Sequence, residues 1–175
     1  MTTHPAFPSP QQAPPPDLTP LESMQWLVDD FVKQAPGVTH ALITSLDGLS
    51  LLASSLMGKD WADTVAASVS GFASLAAGTR GPGGAAVPPQ QIAIERADCL
   101  FLIMVAGRGY RSAFSHRPER ESGTVETVLG VFTEPDADVG AVGFEMHRLI
   151  RRFSEYMRTS VRADAATPVS PPGPR

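Results

Sequence analysis

Apolar residues recur every three or four positions across residues 21–32, and this spacing predicts an amphipathic helix. The helix should begin at a capping box with Thr19 at the N-cap, Pro20 at the first helical position and Glu22 two positions later. In such a box the two polar side chains each satisfy a backbone N–H that the helix leaves free. Residues 36–37 are Pro-Gly, a pair that ends helices.

Five later segments are rich in β-branched and apolar residues and predict strands. They are residues 38–45, 49–54, 90–95, 99–106 and 125–133. Between the first two, Asp47 and Gly48 supply the positive φ angles of a tight hairpin turn. The segment 99–106 is apolar on both faces and is expected at the centre of the sheet. We expect residues 107–109 to open a loop, and the charged residues 111–124 to be an insertion.

Residues 60–77 predict a second helix, with Asp60 as its cap. Its expected buried stripe is Trp61, Val65, Val69, Phe72 and Leu75 or Ala76. The rest of its surface carries small, uncharged residues, which is typical of a helix packed on two sides. The sequence leaves two interpretations open, a central helix inside one domain or a helix shared between two subunits.

Acidic residues Asp136 and Asp138 lead into a third helix. Their negative charges stabilise the helix N-terminus, which is the positive end of the helix dipole. The expected buried stripe of this helix is Val139, Val142, Met146, Leu149, Ile150, Phe153 and Met157. The predicted order is therefore α-β-β-α-β-β-β-α. Because short hairpins join the strands, the class is α+β with a five-stranded antiparallel sheet.

Composition limits the function classes. With 175 residues, 42% apolar and 18% charged, the chain is expected to form one soluble domain. A net charge of −4 provides no broad positive surface for nucleic acid. No apolar run approaches the roughly 20 residues of a membrane-spanning helix, so we expect no membrane insertion. The single cysteine, Cys99, suits a cytoplasmic protein.

Proline placement predicts the domain borders. Six of the 17 prolines lie in residues 1–18 and four more in residues 168–174. Residues 1–18 and 161–175 are therefore expected to be disordered, proline-rich tails around a domain at residues 19–160. Residues 5–8 form a P-x-x-P pattern that an aromatic groove could bind, although the composition alone explains it.

No catalytic, cofactor or metal site is predicted. The glycine-rich residues 81–84 lack the Lys-Ser/Thr of a phosphate-binding loop. Histidines are dispersed without metal-ligand spacing, at His4, His40, His116 and His147. Arg80 and Arg108, in glycine-rich loops, are weak candidates for an arginine finger acting on a partner.

Four segments in this order resemble the roadblock (dynein light chain) family. They are residues 26–31 (Trp-Leu-Val-Asp-Asp-Phe), 36–49, 66–75 and 134–146. The resemblance covers roughly residues 20–160. More specifically, the segments resemble the actinobacterial members that are encoded beside a sensor-like histidine kinase and a Ras-like GTPase.

The resemblance implies a roadblock fold, with helices on both sheet faces, and a non-enzymatic adaptor. It implies a homodimer whose second helices lie side by side, which favours the shared-helix interpretation. It also implies binding of a Ras-like small GTPase, with or without modulation of GTP hydrolysis. A second implied partner is a membrane-bound histidine kinase-like protein. This protein would recruit the chain from the cytoplasm to the membrane. The positions implied for the partner or dimer interface are Asp63, Thr64, Ala66, Ala67, Ser70, Gly71 and Ser74.

One alternative has a different function. Helices on an antiparallel sheet also describe PAS-like and profilin-like sensory domains, which bind a ligand or a peptide. Such a domain needs a cavity with a few convergent polar groups, and the predicted core shows no such cluster.

Overall fold

The computed structural model describes residues 12–116, 120 and 122–158. Helices and strands follow one another as α1 (Pro20–Gln34), β1 (Val38–Ser45), β2 (Ser50–Ala53), α2 (Lys59–Gly78), β3 (Ile92–Glu95), β4 (Leu100–Tyr110), β5 (Thr124–Thr133) and α3 (Val139–Met157). A 3-10 turn, Arg111–Phe114, follows β4. The predicted element order and the α+β class are confirmed.

Helix α1 begins at the predicted capping box. The Thr19 hydroxyl accepts from the Glu22 N–H at 3.3 Å, and the Glu22 carboxylate accepts from the Thr19 N–H at 2.9 Å. The helix ends at Gln34, and Gly37 then adopts a φ of +75° that reverses the chain into β1. Local hydrogen bonds thus set both ends of this helix.

The capping box predicts a pH dependence of stability. Hydrogen bonds from Thr19, first from its backbone and then from its side chain, hold the pKa of Glu22 below its ordinary value. The stabilisation is therefore present above the unfolded-state pKa and is lost as the pH falls through the lower folded-state pKa.

Glu22→Gln is expected to lower stability at pH 7 and to bring the variant closer to the wild type in acid. Urea denaturation midpoints of both proteins at pH 7 and pH 3 measure this. A difference between the two proteins that stays constant with pH would contradict the role of the Glu22 charge.

The sheet has the order β2-β1-β5-β4-β3, and every neighbouring pair is antiparallel. Strand β5 is the central strand, so the expectation that residues 99–106 form it is wrong. Strand β4 lies one position in from the edge. Its residues Leu100–Met104 are buried because helices cover both faces of the sheet, and an apolar strand therefore need not be the central one.

Strand β4 also runs further than predicted. Residues 107–109 continue the pairing with β5 and do not open a loop. The register shifts between Val105 and Gly107, where Gly107 has a φ of +97°, so a bulge accommodates the glycine. At Gly109 a Cβ would come within 2.9 Å of Met157 Cβ, which shows how closely the end of α3 packs on β4.

Helices lie on both faces of the sheet, as predicted. Helices α1 and α3 cover one face, where the larger core includes Leu27, Phe31, Leu129, Met146 and Phe153. Among the described helices, α2 alone covers the opposite face, over a smaller core that includes Leu42, Val65, Ala66, Val69, Phe101 and Val128. In the described part of the chain, one sheet face therefore has two helices and the other has one.

Two local predictions are wrong. Helix α2 has Gly58 at its N-cap, and Asp60 lies inside the first turn. In the turn after β1 the φ of Gly48 is +90°, whereas no described residue other than glycine has a positive φ, so Asp47 does not. Asp138 lies at the start of α3, as predicted, and is its N-cap, since its carboxylate accepts from the N–H groups of Gly140 and Ala141.

Several predictions fall wholly or partly outside the described residues. These are the two proline-rich tails, apart from residues 12–18, and residues 117–119 and 121 of the expected insertion. The domain borders stay predictions. None of the described helices is long and apolar enough to cross a bilayer.

Candidate protein interaction surface

Helix α2 packs on the sheet through small side chains. Its buried residues are Ala62, Val65, Ala66, Val69 and Ala73. Beneath the helix a Cβ on Gly130 would lie 2.9 Å from Leu42 Cδ2 and 3.0 Å from Val69 Cγ2. The glycine and the alanines therefore let the helix approach the sheet closely.

This packing leaves large apolar side chains of α2 exposed. Trp61 is 42% exposed, Phe72 41% and Leu75 73%. The predicted buried stripe is therefore right at Val65 and Val69 but wrong at Trp61, Phe72 and Leu75; Ala76, the predicted alternative to Leu75, is half-buried. The sequence does contain the correct signal, since Ala62, Ala66, Val69 and Ala73 also recur at helical spacing. The larger apolar residues of the same helix form a second stripe, which makes this spacing of small residues harder to recognise.

Of the seven predicted interface residues, Ala66 is completely buried against the sheet. The other six reach the surface: Asp63, Thr64, Ala67, Ser70, Gly71 and Ser74. Together with Trp61, Phe72 and Leu75, these six residues form what we call the α2 surface. The structure thus brings six of the predicted positions together with three that sequence reasoning had assigned to the core.

Polar groups of the α2 surface are mostly satisfied within the chain. Asp63 pairs with Lys59 at 2.6 Å between carboxylate and ammonium, an exposed pair. The Thr64 hydroxyl donates to the Asp60 carbonyl at 2.9 Å, and the Ser70 hydroxyl donates to the Leu46 carbonyl. Residues 64–79 contain no charged side chain. A partner that covers this surface would therefore displace few strongly hydrated groups.

Strand β3 forms one edge of the sheet and pairs only with β4 among the described strands. Its four residues, Ile92–Glu95, leave a row of backbone N–H and C=O groups facing away from the sheet. The edge adjoins the α2 face, since α2 contacts β3 and β4. An open edge beside an uncharged helix is a feature of surfaces that pair with another chain.

Beside α2 lies a groove of about 620 Å³. Five rings line it in a row, and we call it the aromatic groove: His40, Trp61, Phe132, Phe101 and Phe72. Consecutive ring centroids lie 4.8, 5.4, 4.3 and 6.4 Å apart, and Phe132 and Phe101 are stacked. The rings come from β1, α2, β5 and β4, so tertiary packing alone brings them together.

The charged groups at one end of the groove neutralise each other. The Arg96 guanidinium donates two hydrogen bonds to the Asp98 carboxylate, at 2.9 and 3.1 Å, and this holds the pKa of Asp98 below its ordinary value. Burial raises the pKa of the adjacent Cys99 thiol. A raised pKa keeps the thiol protonated, so Cys99 is a poor nucleophile.

Three other residues considered for chemistry have structural partners. Arg80 donates to the Gly84 carbonyl within its loop at 3.3 Å, and Arg108 pairs with Glu126 on the neighbouring strand. His147 contacts the Gly143 carbonyl on its own helix. Within the described part of the chain, no group of three or more His, Cys, Asp or Glu residues is placed to hold a metal ion.

The sequence and the architecture of this chain are similar to those of known proteins. A sequence model of the Roadblock/LC7 domain family matches residues 24–110. Two solved Roadblock/LC7 domain structures from Streptomyces avermitilis are similar to the chain. The first is 28% identical over 77% of this chain and 98% of that one, with a TM-score of 0.60. The second is 26% identical over 74% and 96%, with a TM-score of 0.53.

The gliding protein mglB from Thermus thermophilus shares the fold, at 17% identity over 82% of this chain and 97% of that one, with a TM-score of 0.59. No curated protein matches the chain significantly. The family match covers α1 to β4 and the structural matches extend over most of the chain. Residues 24–110 therefore form a Roadblock/LC7 domain.

Proposed function

We propose that this chain is a non-catalytic, homodimeric adaptor that binds a Ras-like small GTPase in a bacterial signalling complex. The observation that carries the proposal is the α2 surface. It is uncharged over residues 64–79 and exposes Trp61, Phe72 and Leu75. Exposed apolar side chains of this size, grouped on one helix, are typical of protein interaction sites.

Self-association is the first part of the proposal. A second copy that pairs along β3 and places its α2 beside this α2 would cover the open strand edge and part of the α2 surface together. Helix α2 contacts β3, so one partner could cover both features through an isologous interface. The small residues Ala67, Gly71 and Ser74 allow two helices to approach closely.

Binding of the GTPase is the second part. Two α2 helices side by side would present a continuous apolar platform, on which a GTPase surface packs. We propose that the complex forms in the cytoplasm and that a membrane-bound histidine kinase-like protein recruits it. Modulation of GTP hydrolysis belongs to the same proposal, with the adaptor acting on the conformation of the GTPase rather than through a catalytic residue of its own.

The test is size-exclusion chromatography with light scattering on the full chain, alone and then mixed with a bacterial Ras-like GTPase. The GTPase is loaded with GDP or with a GTP analogue. A dimer that binds one nucleotide state preferentially is the expected result. A monomer that ignores both forms of the GTPase would overturn the proposal.

Gly71 provides a sharper test of close helix approach. It is exposed in the middle of α2, and a Cβ there would meet nothing within 4 Å in the single chain. Because alanine is favoured over glycine in helices by about 1 kcal/mol, Gly71→Ala should stabilise the isolated protomer. The same methyl group should weaken self-association by about tenfold or more if a partner backbone approaches at this point.

Urea denaturation at low protein concentration measures the first effect and sedimentation equilibrium the second. Gly78→Ala is the matched control, because a Cβ on Gly78 also has open space but lies at the end of α2. The control should leave self-association unchanged. If Gly71→Ala associates as well as the wild type, the close approach at Gly71 does not exist.

A further inference from the structure

Helices α1 and α3, on the sheet face opposite α2, meet along a line of aromatic and charged side chains. The Arg152 guanidinium of α3 lies over the Trp26 ring of α1, 6.0 Å from the ring centroid. Tyr156 follows Arg152 by one helical turn and therefore lies on the same side of α3, and both aromatic side chains are half-buried. Asp30 lies one turn after Trp26 on α1. We call these four residues the α1–α3 seam.

A buried negative charge attracts Arg152 into this position. The Asp30 side chain is only 10% exposed, and its Oδ2 lies 3.8 Å from Arg152 Nη1. This distance is too long for a hydrogen bond, and Asp30 Oδ2 accepts none from any other described residue. The carboxylate therefore holds the guanidinium by charge, while N–H groups of the guanidinium donate to other acceptors.

The chain itself supplies one of these acceptors. The Gln12 backbone carbonyl accepts a hydrogen bond from Arg152. A turn in which the Leu18 N–H donates to the Pro15 carbonyl at 3.4 Å folds residues 12–15 back from the start of α1. The proline-rich segment before α1 therefore returns to the α1–α3 seam.

The length of this segment agrees with its anchor point. Thr19 caps α1, and Trp26 lies seven residues further on, or about 10 Å along the helix axis. From Pro15 back to Gln12, three residues of about 3.1 Å each span about 9 Å in a polyproline II conformation. Gln12 therefore reaches the level of Trp26 once the chain has turned. Pro14, which lies within the returning stretch, is half-buried.

The chemistry of the α1–α3 seam fits a proline-rich ligand. Tryptophan and tyrosine side chains line the grooves in which polyproline segments commonly bind. The carbonyls of a polyproline II segment have no internal hydrogen-bond partners, so a guanidinium can donate to them. Residues 14–16 are three consecutive prolines, and Asp17 is the single charged residue of the segment 12–18. The seam thus provides both the aromatic surface and the donor that such a segment needs.

We propose that the α1–α3 seam is a binding site for proline-rich peptides, and that residues 12–16 of this chain occupy it in cis. A proline-rich segment of another protein binds the seam by displacing this internal segment. A ligand on a short tether acts at a local concentration on the order of millimolar, so it weakens the binding of a more dilute competitor. Since the seam and α2 lie on opposite sheet faces, the inference does not depend on the proposed dimer or GTPase.

Fluorine nuclear magnetic resonance of the full chain, labelled with fluorotryptophan, provides the readout. The chain has two tryptophans, so the Trp26 signal reports on the α1–α3 seam and the Trp61 signal on the α2 surface. Trp26→Phe assigns the two signals. The ligand is an acetylated synthetic peptide of residues 12–18. The release variant of the full chain combines three substitutions, Pro14→Gly, Pro15→Gly and Pro16→Gly.

The peptide should shift the Trp26 signal of the release variant and leave its Trp61 signal unchanged. Its dissociation constant should be at least about tenfold lower than for the wild type, whose own segment competes. Adding Arg152→Lys to the release variant should weaken binding by about tenfold, because lysine keeps the charge beside Asp30 but lacks the planar guanidinium. Arg151→Lys is the matched control at the exposed neighbouring arginine and should have no effect.

Three results would contradict the inference. Equal affinity of the wild type and the release variant, or no binding by either protein, would show that residues 12–16 do not occupy a peptide site. A peptide-induced shift of the Trp61 signal alone would place the peptide on the α2 surface. Equal effects of Arg152→Lys and Arg151→Lys would show that the Arg152 guanidinium does not hold the peptide.

Discussion

Phe153→Ala is expected to lower the free energy of unfolding by about 3–5 kcal/mol, the range for deleting a fully buried phenylalanine ring. Phe153 is completely buried in the core between α1, α3 and the sheet. The same core contains Leu129 of β5 and Met146 of α3, which are also fully buried, so the surrounding side chains have little freedom to move into the space. Since folded domains are stable by only about 5–15 kcal/mol, this is a large fraction.

Phe144→Ala on the same helix is the matched control. Phe144 lies nine residues earlier, on the opposite face of α3, and is 58% exposed. The Arg148 guanidinium lies 5.9 Å from the Phe144 ring centroid, a contact worth about 1 kcal/mol or less. Urea denaturation followed by circular dichroism compares the two variants. A Phe153→Ala loss no greater than that of Phe144→Ala would show that the α3 core is assigned incorrectly.

Helix and strand borders were predictable where the decisive contacts are local. The Thr19 and Glu22 capping box, the Asp138 cap and the chain reversal at Gly37 each depend on residues within a few positions. The bounds of β1 agree with the prediction for the same reason, because they lie between a Pro-Gly helix stop and a turn. Short-range hydrogen bonding leaves a readable pattern in the residues that make it.

Predictions failed where the outcome depends on distant elements. Residues 107–109 became strand because β5 offers them partners, and no local feature of Gly-Arg-Gly indicates this pairing. Helix α2 has two apolar stripes, one of large and one of small residues. The side of α2 that faces the sheet combines the alanines with Val65 and Val69, and Gly130 on β5 leaves the space for this close approach. The residue that leaves this space lies about 60 positions away in the sequence.

The interaction surface was predictable only in part. Six of its residues follow from the uncharged stretch of α2 and the family resemblance. The aromatic groove did not, because its rings lie at positions 40, 61, 72, 101 and 132 on four different elements. Each ring alone is typical of a core residue. Only the register of β1, β5 and β4 places them in one row beside α2.

Ala67→Glu is expected to weaken self-association by about 100-fold or more, and to weaken GTPase binding with it. Ala67 is exposed in the single chain, midway along the uncharged stretch of α2. Covering an unpaired carboxylate with an apolar surface costs several kcal/mol, and each 1.4 kcal/mol corresponds to about tenfold in affinity. Because the side chain points away from the sheet in the protomer, the folded state should tolerate the change.

Two control variants separate the effect of the added charge from the effects of side-chain volume and of position in the fold. Ala67→Gln adds nearly the same volume without the charge, so it should weaken association much less than Ala67→Glu. Ala141→Glu adds the same charge at an exposed position of α3, on the opposite sheet face, and should leave association unchanged. Light scattering measures the dimer and co-elution measures the GTPase. If Ala67→Glu stays dimeric and binds the GTPase normally, neither partner covers the centre of α2. If it becomes monomeric yet still binds, the GTPase contacts a single protomer, and the proposed platform of two helices is unnecessary for recognition.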